Sequence, residues 1–168
     1  IARPLNLRCT WYGRPAADRL AELTDCHDAS GPQPTRYYPA LAASGLYTTA
    51  EELTLLYASL PQFLTPSSLA AMLTPHATAS NGWTFGLGFA LAECNGRRTL
   101  KHAGWSDGSW GAAEGLSFPP PSSPAAGNWP ATAAAVLTNS SRGKDVVLPL
   151  LGAITQRLTV NWWEWDKH

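Results

Sequence analysis

The chain has 168 residues, with 12 basic and 12 acidic side chains and a formal net charge of zero, and this length suits one domain or part of a larger one. Because there is no basic excess, nothing in the composition supports binding to nucleic acid or to an anionic membrane surface. No apolar run approaches the roughly 20 residues that a membrane-spanning helix needs, whereas 45% hydrophobic residues are enough to form a core.

Residues 1–45 are predicted to be an irregular lead-in, because prolines and glycines punctuate them throughout. Cys26-His27-Asp28 contains metal-binding residue types, but no second ligand pair lies at a suitable spacing, so we interpret it as a surface loop. The first residues include no Met and no signal-peptide layout, which indicates a chain cut from a longer one.

Two helices are predicted over residues 46–75. The first helix begins at a capping box, in which side chains satisfy backbone N–H groups that the first turn leaves unpaired. Two such boxes are possible: Thr48 with Glu51, or Thr49 with Glu52. The second helix is predicted to begin at Thr65, whose hydroxyl suits an N-cap, with Pro66 in its first turn.

Residues 83–138 are predicted to form antiparallel strands, with a Pro/Ser/Ala loop at residues 119–130. Asn95-Gly96 lies between two β-prone runs and tolerates the positive φ angles of a type I′ turn, which predicts a two-residue hairpin. That loop sets four facing pairs: Cys94 with Arg97, Leu91 with Leu100, Phe89 with His102, and Leu87 with Gly104. The alternation also places Gly86 on a bare face, where another element can approach the backbone closely.

The remaining elements complete an α+β pattern. Residues 112–118 are predicted to be a third strand, residues 131–138 a buried fourth, and residues 145–159 a C-terminal helix capped by Asp145. The order predicts an antiparallel sheet flanked by helices. The sheet is expected to be incomplete, because its edge strands have no evident partner.

Several short motifs occur here in the order in which they occur in one family. They are Pro4-Leu5-Asn6-Leu7 with Thr10, residues 43–53, Gly86-Leu87-Gly88-Phe89, His102-Ala103-Gly104-Trp105 and Val136-Leu137-Thr138-Asn139. With these motifs, residues 1–160 resemble the C-terminal portion of the serine β-lactamase and penicillin-binding-protein-like family. The resemblance is to its class C β-lactamase-related and esterase-like members, and it implies a partial β-lactamase/transpeptidase-like fold over residues 1–168.

This family uses a Ser-x-x-Lys at a helix start, a Tyr-x-Asn or Ser-x-Asn on a loop, and a Lys-Thr-Gly-type triplet on a strand. The resemblance maps only the triplet, as residues 102–104, and the chain holds no Tyr-x-Asn or Ser-x-Asn. The one Ser-x-x-Lys, from Ser141 to Lys144, follows the late strand, whereas the family's nucleophile precedes everything seen here. We interpret it as a chance match, and expect the N-terminal half with the nucleophile to be missing.

The resemblance implies a role for each residue at the end of this strand. The His102 imidazole would donate a hydrogen bond, or a charge when protonated, toward the catalytic cluster or a substrate carboxylate. Gly104 would leave room for the substrate, and the N–H of Trp105 would be one of two oxyanion-hole donors. Three further residues would border the substrate: Ala103, Ser106 and Asp107. We assign no cofactor and no metal.

The activity implied by the resemblance is that of a serine hydrolase acting on a small-molecule ester, amide or peptide through an acyl-enzyme. The replacement of the triplet lysine by His102 favours an esterase or peptidase-like enzyme over a resistance β-lactamase. The 168 residues alone are then expected to be inactive, and their partner is the missing half of the same domain. Three alternatives remain: a non-catalytic binding or scaffold module, a His102 that is only a packed strand residue, and a chain that folds poorly alone.

Overall fold

Helices and antiparallel strands occur in largely separate runs along the chain, in agreement with the α+β prediction. The computed structural model describes residues 1–34, 37, 39–80, 82–94, 97–106, 109–114 and 132–159. The elements are β1 (Trp11–Tyr12), a 3₁₀ helix (Ala17–Glu22), β2 (Cys26–Asp28), β3 (Gly31–Gln33), α1 (Leu41–Ser44), β4 (Leu46–Tyr47), α2 (Ala50–Ala58), α3 (Leu60–Phe63), α4 (Pro66–Met72), β5 (Ala77–Thr78), β6 (Thr84–Phe85), β7 (Ala90–Cys94), β8 (Arg97–Ser106), β9 (Ser109–Glu114), β10 (Ala134–Thr138) and α5 (Lys144–Thr159). No helix within the described ranges is long and apolar enough to cross a membrane.

A six-stranded antiparallel sheet in the order β10-β9-β8-β7-β6-β5 forms the centre of the structure. β8 pairs with β7 only over its first half, up to Lys101. It pairs with β9 over its second half, from Lys101 to Ser106. The second half of β8 therefore has β9 on one side and extends past the end of β7 on the other.

Helices pack on both faces of this sheet. Leu100 of β8 is buried in a cluster with Tyr57 of α2 and Leu69 of α4. Ala134 of β10 is buried in a second cluster with Val147 of α5. We call these two surfaces the α2 face and the α5 face. Because successive side chains of a strand point to opposite faces, each residue of β8 can be assigned to one of them.

The hairpin around Asn95-Gly96 has the predicted register where the structure describes it. Cys94 pairs with Arg97 and Leu91 with Leu100, which confirms two of the four facing pairs. The turn residues themselves, like the predicted 119–130 loop and residues 115–118 of the predicted third strand, lie outside the described residues.

The predicted strand that precedes this hairpin is in fact two strands. β6 and β7 pair with each other through Phe85 and Ala90, and the chain reverses between them at Gly88, where φ is +79°. The Gly86 N–H donates to the Phe89 carbonyl oxygen at 2.9 Å and closes this turn. Leu87 consequently lies in the turn and is not in register with Gly104, so that predicted pair is wrong.

Gly86 lies where a side chain could not fit. A Cβ built at this position would lie 1.9 Å from the Met72 carbonyl oxygen at the end of α4. Arg98 of β8 reaches the same helix end, because its Nη1 donates to the Leu73 carbonyl oxygen at 2.9 Å. The C-terminus of α4 is therefore packed directly against the backbone of the turn and joined to β8, in agreement with the bare surface predicted at Gly86.

Short elements occur within the lead-in, residues 1–45, which the sequence predicts to be irregular. Cys26-His27-Asp28 forms β2, a strand, and not the surface loop that we expected. The His27 N–H donates to the Asn139 carbonyl oxygen at 2.7 Å, and the Ser141 N–H donates to the His27 carbonyl oxygen at 2.8 Å. The lead-in is therefore attached to the segment that follows β10.

Three helices, and not two, lie within residues 46–75, since α3 separates α2 from α4. Of the two capping boxes, the structure uses Thr49, whose Oγ1 accepts from the Glu52 N–H at 3.2 Å. Thr65 caps α4 as predicted, accepting from the Ser68 N–H at 3.1 Å. The last helix begins at Lys144, so Asp145 lies in its first turn and not at its N-cap.

The Glu52 carboxylate binds the lead-in to α2. It accepts from the Arg8 N–H at 2.6 Å, from the Cys9 N–H at 2.9 Å and from the Thr10 hydroxyl at 2.6 Å. Burial raises the pKa of Glu52, but the bonds from Thr10, Cys9 and Arg8, together with the charge of Arg19, outweigh burial and leave this pKa below its ordinary value of 4.5. The ionised form of Glu52 therefore stabilises the folded chain.

We expect Glu52→Gln in the full-length protein to reduce the free energy of unfolding at pH 7 by about 1–3 kcal/mol, because hydrogen bonds to a charged group are lost. Glu51→Gln is the matched control, since Glu51 is an exposed carboxylate in the same first turn. This control should change the free energy of unfolding by less than about 0.5 kcal/mol. Urea unfolding measures both.

The same pair of variants has a defined pH dependence. Because the pKa of Glu52 is lowered on folding, its contribution is present above pH 4.5 and is lost as the pH falls through the folded value. The difference between wild type and Glu52→Gln should therefore shrink between about pH 5 and pH 3. A difference that stays constant over this range would show that the Glu52 charge does not hold the lead-in.

Candidate active site

The predicted site residues lie at the exposed end of β8. His102, Ala103, Gly104 and Trp105 are all exposed, and Trp105 has 70% of its surface accessible. Since Leu100 points to the α2 face, alternation places His102 and Gly104 on that face, and Ala103 and Trp105 on the α5 face. The imidazole and the indole therefore lie on opposite sides of the sheet.

On the α2 face, β9 places small residues in register with the site residues of β8. His102 is in register with Ala113 of β9, and Gly104 with Gly111, while Gly111 is in register with Leu137 of β10. A Cβ built at Gly104 would have no heavy atom of the described residues within 4 Å. As far as the described residues go, the space above Gly104 is therefore open, on the face to which His102 belongs.

Phe89 packs against His102, as the predicted facing pair requires. The two ring centroids are 6.4 Å apart and the planes are inclined at 83°. On its other side Phe89 packs edge-to-face on Tyr57 of α2, with centroids 5.7 Å apart and planes at 85°. Sequence reasoning identified the contact of Phe89 with His102, but it had no signal that would bring Tyr57 of a distant helix to the same place.

The register also determines where the Trp105 N–H points. The Phe89 carbonyl oxygen accepts from Gly86, so the main-chain groups of Phe89 face β6, and those of Ala90 face β8 because successive residues alternate. Lys101 is the partner of Ala90, so its main-chain groups face β7. Main-chain directions alternate along β8, so the groups of Ala103 and of Trp105 face the same edge as those of Lys101. Trp105 lies beyond the end of β7.

Two residues assigned to the substrate border have no described side chain. Ser106 is the last residue of β8, in register with Ser109 of β9, and Asp107 lies outside the described residues. Within the described part of the chain no group of three or more His, Cys, Asp or Glu side chains could hold a metal ion.

The local Ser-x-x-Lys does not lie on one helix. Ser141 is in the turn that follows β10, whereas Lys144 is the first residue of α5. Thr138, at the end of β10, is in register with Trp110, which is in register with Trp105. Thr138 therefore lies two strand spacings, or about 10 Å, from Trp105. The turn that follows it is at the same end of the sheet, a placement that the sequence did not indicate.

Comparison with known proteins places this geometry in a family. The Beta-lactamase family model matches residues 1–155, a range that includes the lead-in, the helices, β8 and most of α5. No curated protein matches the chain. Because the family model covers most of the 168 residues, the chain belongs to the β-lactamase family.

Proposed function

We propose that the protein is a serine hydrolase that cleaves an ester or amide bond through an acyl-enzyme, and that this chain supplies one wall of the acyl pocket. The observation that carries the proposal is the exposed end of β8. There the Trp105 main chain faces the edge of β8 beyond the end of β7. His102 and Gly104 share a face on which no described residue lies within 4 Å of a Cβ built at Gly104. Membership of the family supports serine hydrolase chemistry.

In this reaction a serine oxygen attacks the substrate carbonyl carbon, and the carbonyl oxygen becomes an oxyanion. The Trp105 N–H donates to that oxyanion, together with a second donor on the nucleophile's own backbone. The oxyanion collapses, the alcohol or amine leaves with a proton, and an ester to the serine remains. Water then cleaves this ester by the same steps and releases the carboxylic acid.

Gly104 and His102 act beside this carbonyl. Gly104 leaves the space in which the acyl group and the nucleophile can approach β8, because a side chain at this position would occupy it. His102 lies on the same face and donates a hydrogen bond toward the catalytic cluster. Ala103, Ser106 and Asp107 border the substrate.

The nucleophile is proposed to lie in polypeptide other than these 168 residues. The supporting fact is the motif content: no Tyr-x-Asn or Ser-x-Asn occurs, and the one Ser-x-x-Lys spans a turn and the first residue of α5. Catalytic side chains must be held close to their productive geometry, and a helix or strand holds them more precisely than a turn does. Ser141 and Lys144 are therefore not assigned this role, and the 168 residues alone are expected to be inactive.

The substrate is proposed to be an ester or a peptide rather than a β-lactam antibiotic. The family's triplet lysine carries an ammonium group at the end of a long, flexible side chain, whereas His102 carries an imidazole on a shorter one. The replacement therefore weakens the attraction for a substrate carboxylate, and an ester that lacks a carboxylate loses less binding by it.

The test is an assay of the full-length protein with p-nitrophenyl acetate and with a chromogenic cephalosporin. We expect turnover of the ester, and mass spectrometry of the quenched reaction should find one acyl group on a serine that precedes Ile1. Acylation at Ser141, or loss of turnover in Ser141→Ala, would overturn the assignment of the nucleophile. No turnover, together with no Ser-x-x-Lys in the preceding sequence, would favour a non-catalytic binding module.

We expect His102→Ala to lower kcat/KM for p-nitrophenyl acetate by about 10- to 100-fold, the effect of one hydrogen bond to a developing charge. His76→Ala is the control, because His76 is also exposed but its Nε2 lies 2.9 Å from the Ala71 carbonyl oxygen, at α4. Equal values of kcat/KM for the two variants would show that His102 has no role in this reaction.

A further inference from the structure

A continuous series of ring contacts leads from the core to the proposed site. Tyr57 has only 6% of its surface exposed and belongs to the cluster that buries Leu100. Phe89 packs edge-to-face on Tyr57, and His102 packs edge-to-face on Phe89. Edge-to-face pairs are favoured because the positive edge of one ring meets the negative face of the other.

The sheet itself places only small side chains in register with His102. Its side chain is exposed, and its partners in register on the neighbouring strands, Ala113 and then Ala135, are both alanine. An exposed histidine without a bulky neighbour populates several staggered rotamers. A general donor contributes to catalysis only when it is held within a small range of positions.

Phe89, in contrast, is held from three directions. Its carbonyl oxygen accepts from the Gly86 N–H, and Gly86 is itself packed against the Met72 carbonyl oxygen. Gly88, with its positive φ, sets the direction in which the chain leaves the turn. The Phe89 ring also contacts buried Tyr57, so its position is determined by α2, by α4 and by the turn.

We propose that Phe89, braced by Tyr57, is the positioning residue that orients the His102 imidazole in the acyl pocket. The proposal rests on the proposed function, because it assigns to Phe89 an effect on a residue of that site. Phe89 itself contacts no reacting atom. Its effect is to restrict His102 to the rotamer in which the imidazole lies against the phenyl ring.

The test uses three variants of the full-length protein. Phe89→Leu removes the ring and keeps an apolar side chain, and Phe89→Tyr restores a ring. Phe85→Leu is the matched control. Phe85 lies in β6, on the other side of the turn that holds Phe89, but it is on the α5 face and packs against Trp83. Two kinds of measurement are made: steady-state kinetics with p-nitrophenyl acetate, which gives kcat and KM, and the nuclear Overhauser effect between the His102 and Phe89 ring protons.

We expect a strong Overhauser effect and a single set of His102 ring signals in the wild type. Phe89→Leu should lower kcat by about 3- to 10-fold with KM within about twofold, since a ring pair restricts the rotamer without contacting the substrate. In this variant the His102 ring signals should be those of a side chain that populates several rotamers. Phe89→Tyr should retain most of kcat, and Phe85→Leu should change neither the kinetics nor the Overhauser effect.

The proposal is overturned if the wild type shows no Overhauser effect between the two rings, a result that does not depend on any variant folding. It is also overturned if Phe89→Leu keeps the wild-type kcat, or if Phe85→Leu lowers kcat as much as Phe89→Leu. Failure of the proposed function looks different: the wild type then shows the ring contact, while His102→Ala turns over substrate at the wild-type rate.

Discussion

Replacing Trp105 by proline in the full-length protein is expected to lower kcat for p-nitrophenyl acetate by about 100- to 1,000-fold, the usual cost of one oxyanion-hole donor. Proline removes the N–H and leaves the carbonyl oxygen in place. Because the main chain of Trp105 faces the edge of β8 beyond the end of β7, this substitution removes no N–H from the β8–β9 ladder. Proline is tolerated in strands at positions of this kind.

Trp105→Ala removes the indole and keeps the main-chain N–H, so it distinguishes the contributions of these two groups to kcat. The indole lies on the α5 face and is mostly exposed, away from His102, so its removal should cost less than about tenfold in kcat, because the amide donor is kept. The two variants are compared by kcat and by circular dichroism, which verifies that both fold. If proline and alanine give the same kcat in folded protein, the Trp105 amide is not a donor in this reaction.

The second large effect is expected on stability. Gly86→Ala should reduce the free energy of unfolding by about 3 kcal/mol, at the upper end of the range for overpacking. The added Cβ would lie 1.9 Å from the Met72 carbonyl oxygen, and a backbone group at a helix end cannot rotate away as a side chain can. For a domain of this size the loss corresponds to about 6–12 °C in Tm.

Gly152→Ala is the control for this substitution. Gly152 lies inside α5, and a Cβ built there meets no heavy atom of the described part of the chain within 4 Å. Alanine at this position should therefore stabilise the protein by about 0.5–1 kcal/mol, through the lower conformational entropy of the unfolded chain. Differential scanning calorimetry measures both variants. A Gly86→Ala protein that melts with the wild type would mean that α4 does not pack on this turn as described.

Both predictions, for Trp105 and for Gly86, depend on the turn between β6 and β7. The packing of α4 on Gly86 fixes the turn from which Phe89 reaches His102. β7 begins just after this turn, and its pairing with β8 therefore stops at Lys101, before Trp105. A change at Gly86 should therefore also affect catalysis, through Phe89, in whatever fraction of the protein remains folded.

The sequence by itself determined those features that depend on neighbours along the chain. The cap at Thr65 and the pairing of Cys94 with Arg97 follow from propensities and from turn spacing, which act over a few residues. For the helix before it, the sequence predicted a capping box but left Thr48 and Thr49 as alternatives, and the structure uses Thr49. The ordered motifs also sufficed to recognise the family, and the family model matching residues 1–155 confirms it.

Only the tertiary structure decided the features that join distant segments. The sequence offers Glu52 as one of two candidates for a capping box, yet its carboxylate accepts from the main-chain N–H groups of Arg8 and Cys9, more than 40 residues earlier. The single predicted strand became β6 and β7, because the turn at Gly88 lets the backbone at Gly86 pack on α4. Local periodicity does not contain such contacts, since they depend on the shape of the surface against which a segment packs.

The candidate site shows the same division. His102 and Gly104 could be named from a triplet in the sequence, and their common face follows from the strand period of two. Which edge of β8 the Trp105 amide faces, and whether β7 pairs there, depends on where β7 ends against β8. A strand's pattern shows which side chains share a face, but only its folded neighbours determine which main-chain groups pair with the adjacent strand.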